Sequence, residues 1–227
     1  MAISVFSFRE QEAWLNRLTS DFQGMLSENR LLARPFRVAL SGGSTPIPLY
    51  RHWAGLDLPW EKIDWWIGDE RWVPVTDPRS NEGMIRGSLG ASAGARLRLR
   101  SWHGGVEPSE AARLYDSALR RELGEPPVFD LVLLGLGGDG HTASLFPGSP
   151  ALEERASYAV PNSPPGGEGP LRLTLTYPCL DVARSIWFLV AGGAKEKIVE
   201  RLLSGDKTLP AGRIQAVDQR LYWVRDG

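Results

Sequence analysis

Apolar residues in this chain fall into short runs separated by glycine-rich or polar junctions. Ile3, Val5, Phe6 and Phe8 open it, and Trp14, Leu15, Leu18, Phe22, Met25 and Leu26 then match one face of a helix. Phe36 to Leu40 predicts a strand that enters SGGSTPIPLY, where Ser44 or Thr45 is expected to cap a helix with Pro46 in its first turn. Ile63 to Ile67 predicts a strand running into Gly68-Asp69-Glu70-Arg71, and Ser80-Asn81-Glu82 resembles a helix start before Met84, Ile85 and Leu89. From Ser109, the residues Ala111, Leu114, Tyr115, Ala118 and Leu119 are amphipathic at helical spacing, ended by Gly124 and Pro126-Pro127. Strands are then expected at Phe129 to Leu134, Ser157 to Val160, Leu171 to Thr176, Ile186 to Val190 and near Leu221 to Val224, with a helix from about Lys195 to Leu203. Asn162 to Pro170 is expected to be a flexible surface loop. Strands alternating with helices imply an α/β fold: a mostly parallel sheet with helices on both faces, in one domain over residues 1–227.

Composition narrows the class. The 227 residues suffice for one large domain with a substantial core. With 26 Lys and Arg against 27 Asp and Glu, a net charge of −1 gives no global basic field for nucleic acid or an anionic membrane. The single Cys179 excludes an internal disulfide and a thiolate metal cluster, which fits a reducing compartment. No apolar run approaches the roughly 20 residues that span a bilayer, and no basic-then-apolar signal pattern opens the chain, so a cytoplasmic protein is expected, with a monomer favoured. The nine Trp are expected in the core with their indole N–H groups satisfied.

The chemistry concentrates at Phe129 to Phe146, FDLVLLGLGGDGHTASLF, where an apolar strand meets four glycines within six residues. In open α/β sheets ligands bind beyond the C-terminal ends of strands, so Asp139 and His141 are presented at a site. Gly135 to Gly140 also spells G-x-G-x-x-G, but the acid expected about 20 residues on for a dinucleotide ribose is absent. Three further junctions repeat the design: Ser41 to Thr45, Gly68 to Arg71, and Gly192 to Lys195. Backbone N–H groups, hydroxyls and a helix N-terminus in Ser41 to Thr45 suit a phosphate, and Arg71 and Lys195 supply cations. Without a Gly-Lys-Ser/Thr ending this is no nucleotide P-loop, so a small phosphorylated metabolite fits better.

His141 is the candidate for proton transfer, oriented by Asp139, whereas His52 and His103 have no such setting. No metal is expected, since Asp139 and His141 offer two ligands and no His or Cys cluster completes a shell. No G-x-S-x-G elbow supports a covalent nucleophile, and Ser144 is expected to start a helix. Activated water remains.

Taken together, SGGSTP, GDERWVP, SNEGMIR, GLGGDGHTASLFPG and the late GGAKEK resemble the 6-phosphogluconolactonase family in order and spacing, from about Phe36 to Trp223. The resemblance implies a modified Rossmann-like fold shared with glucosamine-6-phosphate deaminase, and cofactor-free hydrolysis of 6-phospho-D-glucono-1,5-lactone. It implies His141 and Asp139 as catalytic, with Gly42, Gly43, Ser44, Thr45, Asp69, Arg71, Asn81, Gly138 and Lys195 binding the phosphosugar. The deaminases carry Phe-Asn-Glu-Pro, whose acid helps ring opening, where this chain reads Ser144-Leu-Phe-Pro147. A non-catalytic sugar-phosphate sensor is the other alternative, but such sensors usually carry a helix-turn-helix, for which the roughly 35 residues before Phe36 leave no room.

Overall fold

In chain order the strands are β1 (Ser4–Phe8), β2 (Phe36–Leu40), β3 (Ile63–Ile67), β4 (Asp69–Arg71), β5 (Leu99–Arg100), β6 (Leu131–Gly135), β7 (Ala159–Asn162), β8 (Arg172–Leu175), β9 (Ser185–Ala191) and β10 (Asp218–Val224). Among the described residues, seven of them form one sheet, parallel throughout, in the spatial order β1-β10-β9-β6-β2-β3-β5. The helices are α1 (Gln11–Asn29), α2 (Ile47–Ala54), α3 (Asn81–Ser88), α4 (Gly90–Ala93), α5 (Pro108–Leu123), α6 (Tyr177–Leu180) and α7 (Glu196–Leu203). The computed structural model describes residues 2–29, 34–102, 105–167 and 169–226, so His103 lies outside the described residues.

Central strands read as unbroken apolar runs because both their faces are covered. Leu131 to Leu134 of β6 and Ser185 to Val190 of β9 are all buried. Adjacent residues on β3 show how the faces divide, since successive side chains on a strand point to opposite sides. The Trp65 ring lies 6.0 Å from Phe22 of α1 and 6.2 Å from Trp53 of α2, whereas that of Trp66 lies 5.5 Å from Tyr115 of α5. Helices therefore cover both faces.

Chain direction reverses between β2 and β6. From β2 the chain proceeds outward through β3 to β5, then returns to place β6 on the other side of β2 and continues to β9 and β10. Such a switch point leaves a crevice between the two outgoing loops. Here those loops are Ser41 to Thr45 and Leu136 to Ala143.

The Gly68 to Arg71 junction departs from the expected loop. Gly68 donates its N–H to Leu40 O at 2.9 Å and accepts Leu175 N at 3.0 Å, so the chain passes directly from the main sheet into a second one. That second sheet is antiparallel, ordered β4-β8-β7, and it contains the strand expected at Leu171 to Thr176. Its strands β7 and β8 lie in the crossover between β6 and β9, and β7 packs on α5.

Several local expectations are corrected. Neither Ser44 nor Thr45 caps α2: Pro46 is already in helical conformation and is the N-cap, without a side-chain bond. Ser144 starts no helix, because Ala143 takes φ +47° and Thr142 pairs with Leu145 in a tight bridge. Asn162 belongs to β7 and is buried, donating to Ser144 O at 2.7 Å, while Ser163 and Pro165 to Gly167 of the expected loop are exposed. The indoles of Trp14, Trp53, Trp102 and Trp223 find acceptors. Those of Trp65, Trp66 and Trp187 are buried without one among the described residues, each set among aromatic rings.

Helix α3 starts where the sequence suggests. Ser80 Oγ accepts Gly83 N at 3.0 Å, and the buried Glu70 carboxylate accepts the N–H groups of Asn81 and Glu82, each at 2.7 Å. Glu70 also accepts Arg71 N at 2.6 Å and Ser80 Oγ at 3.0 Å. Burial pushes its carboxyl above the usual range, and these donors oppose that shift. Glu70→Ala should lower stability by about 2–4 kcal/mol, because helix N–H groups would be buried unpaired. Urea unfolding should show an earlier midpoint at unchanged slope, and an unmoved midpoint would contradict this.

Candidate active site

The loop after β6 is built around Gly137. The His141 carbonyl accepts Gly137 N at 2.8 Å, and Gly140, with φ +84°, donates to Gly137 O at 3.0 Å. This tight turn brings Asp139 and His141 together: Asp139 Oδ1 lies 2.6 Å from His141 Nδ1 and accepts the His141 main-chain N–H at 3.1 Å. Both side chains lie against Gly137. A Cβ there would meet His141 Nδ1 at 2.1 Å and Asp139 Oδ1 at 2.7 Å.

The pairing sets the chemistry of each partner. Partial burial pushes the Asp139 carboxyl up, but hydrogen bonds from the His141 main chain and ring outweigh it and hold the pKa below the ordinary value. An ionised Asp139 accepts Nδ1–H and so leaves the lone pair on Nε2. The imidazole is 35% exposed, so water reaches it. The Phe146 ring backs it at a centroid distance of 5.1 Å.

The loop after β2 forms the facing wall. A Cβ on Gly42 would sit 2.1 Å from the Asn81 carboxamide, so that side chain supports the glycine loop from behind. Asn81 Nδ2 also donates to Asp69 O at 2.7 Å and Asp69 Oδ1 at 3.3 Å. From the other side Ser144 Oγ donates to Asp69 Oδ2 at 2.7 Å, while Thr174 Oγ1 accepts Ser144 N at 3.2 Å. Buried Ser144 thus ties the His141 loop to the second sheet.

Arg71 on β4 stands opposite Arg172 on β8, so the two guanidinium side chains share one face. Arg71 is held by Arg79 O at 2.7 Å. The Nε atoms of both arginines are buried without a partner among the described residues. Burial first, then the charge of Arg71, pushes the Arg172 pKa down. Lys195, on the turn after β9, donates to Leu136 O at 3.0 Å.

A cleft of about 220 Å³ joins these parts, lined by Gly42 to Thr45, Asp69, Arg71 and His141, and also by Ser41, Gly137 and Thr142. Three residues expected to bind the phosphosugar do not line it: Asn81 is behind Gly42, Gly138 is exposed on the turn, and Lys195 donates to the Leu136 carbonyl; Asp139, expected to orient His141, is paired with its Nδ1 and does not line the cleft either. A larger cleft of about 510 Å³ elsewhere is lined by Arg155, Arg213 and Asp181. Both of those arginines pair with Glu153, and no His lines that cleft, so chemistry favours the smaller one. Among the described residues, no three His, Cys, Asp or Glu side chains cluster to hold a metal.

The model of the glucosamine-6-phosphate isomerases/6-phosphogluconolactonase family matches residues 9–223. The chain belongs to that family. It is 40% identical over 200 residues to the curated 6-phosphogluconolactonase of Synechocystis sp., covering 83% of this chain and 81% of that protein. Identity to the 6-phosphogluconolactonase of Caulobacter vibrioides is 35% over 235 residues, covering 98% and 97%. The crystal structure of a 6-phosphogluconolactonase from Shewanella baltica matches with a TM-score of 0.87 at 25% identity, covering 98% of this chain and 97% of that one.

Within this member of the glucosamine-6-phosphate isomerase/6-phosphogluconolactonase family, sequence reasoning missed Arg172, Ser144 and Thr142. Arg172 sits in a strand whose alternation carries no site signal, and Ser144 matters through a contact with Asp69, distant in sequence. Gly137 is legible only as part of a glycine run, yet its reason is steric. Gly137→Ala should leave the fold intact by circular dichroism and displace the His141 ring. Any catalytic turnover should fall about as far as in His141→Ala, and undiminished turnover in Gly137→Ala would contradict the packing of both side chains on Gly137.

Proposed function

We propose that this chain hydrolyses 6-phospho-D-glucono-1,5-lactone to 6-phospho-D-gluconate, using His141-activated water and no metal. The observation that carries the proposal is the Asp139–His141 pair facing, across one cleft, a glycine loop and Arg71. A lactone is an ester already prone to hydrolysis, so a positioned base and water suffice. His141 Nε2 takes a proton from water as its oxygen bonds to C1, and the carbonyl electrons move onto the oxyanion. Collapse of that intermediate breaks the bond from C1 to the ring oxygen, and the same nitrogen returns the proton to the departing oxygen. Asp139 holds the tautomer and stabilises the imidazolium.

Amides of the Gly42 to Thr45 loop face the oxyanion or the phosphate. Arg71, with Arg172 beside it, anchors the 6-phosphate, and Lys195 adds positive charge from behind the lining residue Leu136; Asp69, fixed by Ser144 and Asn81, accepts a sugar hydroxyl. Gly138 and Asn81 act through the loops they shape. The place of the deaminase acid is taken by Phe146, whose ring packs on His141, so no carboxylate stands there for ring opening. The lone buried Cys179 suits a cytoplasmic setting. Among the described residues no helix is long and apolar enough to cross a membrane.

Two variants separate chemistry from binding when lactone loss is corrected for spontaneous hydrolysis. His141→Ala should lower kcat about 10²- to 10⁴-fold with its melting temperature kept. Arg71→Ala should raise KM about 10- to 100-fold, since one charge-assisted contact is lost. Full activity in His141→Ala would remove it from the chemistry. If the native protein gave no acceleration but bound 6-phosphogluconate tightly, the domain would be a sensor.

A further inference from the structure

The turn that carries the Asp139–His141 pair is held from outside by a segment beyond α7. Gly140 lies between the two catalytic candidates, and its carbonyl accepts the Ala211 N–H at 3.0 Å. Leu209, only 2% exposed, presses on the same glycine: a Cβ at Gly140 would meet Leu209 Cδ2 at 2.7 Å and Cβ at 3.0 Å. Between them, the Pro210 carbonyl accepts the Tyr177 hydroxyl at 2.9 Å.

The segment is itself stiffened. Asp206 Oδ1 accepts Thr208 N at 2.9 Å and Thr208 Oγ1 at 2.6 Å, while Oδ2 accepts Arg201 Nε at 2.9 Å and Nη2 at 2.8 Å. Lys207 Nζ donates to Gly212 O at 2.6 Å, and Leu209 N to Asp206 O at 3.3 Å. Gly212 is packed on Asp206 O, where a Cβ would approach to 2.1 Å. A rigid loop thus presents one apolar side chain and one N–H to Gly140.

We propose that Leu209 is a positioning residue for the hydrolysis, acting with the Ala211 N–H as a brace that fixes Gly140 and so aims His141 from Asp139. Gly140 has a left-handed φ and no side chain of its own to pack, so its peptide orientation depends on what lies against it. Rotation there would swing His141 directly, and a displacement near 1 Å costs about 10²-fold in rate. The inference rests on the lactonase reading for its kinetic effect, but not for its structural one.

The test compares Leu209→Ala and Leu209→Met in the full chain, with rates taken per folded molecule. Leu209→Ala should lower kcat by about tenfold or more and leave KM within about twofold, because Arg71 and Lys195 keep their places. Leu209→Met, close in volume, should restore kcat to near the native value. Ligand-free NMR of the His141 ring should show its native signal in Leu209→Met and a displaced or broadened one in Leu209→Ala. An unmoved ring signal in Leu209→Ala, or an unchanged kcat per folded molecule, would overturn the brace. If the ring signal moves but even the native protein fails to hydrolyse the lactone, the brace stands and the functional reading fails.

Discussion

Everything at the site depends on β2 and β6 being neighbours while the chain leaves them toward opposite edges of the sheet. Parallel pairing puts the ends of both strands on one edge, and the reversal of strand order keeps any crossover from closing the gap between them. Two glycine-rich loops therefore face each other across a crevice. One offers main-chain amides and hydroxyls, and the other offers an imidazole held by a carboxylate. Neither could work alone, since a phosphosugar lactone presents its charge and its ester carbon at different ends.

The small antiparallel sheet gives that crevice its third wall. Gly68 hands the chain from the main sheet to β4, and β4 places Asp69 and Arg71, two residues apart and so on one face, beside the cleft. A buried polar chain then links this sheet to both loops: Asn81 to Gly42 and Asp69, Ser144 to Asp69 and Thr174, Asn162 to Ser144. Buried polar groups of this kind are costly unless satisfied, and their satisfaction specifies one arrangement. Arg71 and His141 are thereby held in a fixed relation. Leu209 extends the same logic to the outer side of the His141 turn.

Much of this was legible in the sequence because it is local. Apolar runs named the main strands, Ser80 named a helix cap, and the glycines around Asp139 and His141 marked a strand end with chemistry on it. What stayed hidden depends on pairing between distant segments. Strand order is not written in periodicity, so Leu171 to Thr176 reads like any other strand although it pairs with β4 and β7 in a separate sheet. Ser144 reads as a helix start because Ser is common there, and only the contact with Asp69 reveals its role. Gly135, Gly137 and Gly140 together spell a dinucleotide fingerprint, yet the structure uses these glycines for other reasons. Gly137 leaves room for two side chains, and Gly140 adopts a left-handed turn against Leu209. Asn81 shows the opposite case: as a polar residue within a motif it suggests ligand contact by pattern, whereas its side chain is buried behind the Gly42 loop.

The central claim is that water, activated by His141, attacks the lactone directly, with Asp139 and Asp69 as partners and never as nucleophiles. A single turnover with enzyme in excess, run in water labelled with heavy oxygen, tests it most directly. Direct attack predicts that the first 6-phosphogluconate formed carries the label in its carboxylate and that no protein carboxylate acquires it. Unlabelled first-turnover product, with the label appearing on Asp139 or Asp69, would contradict the account.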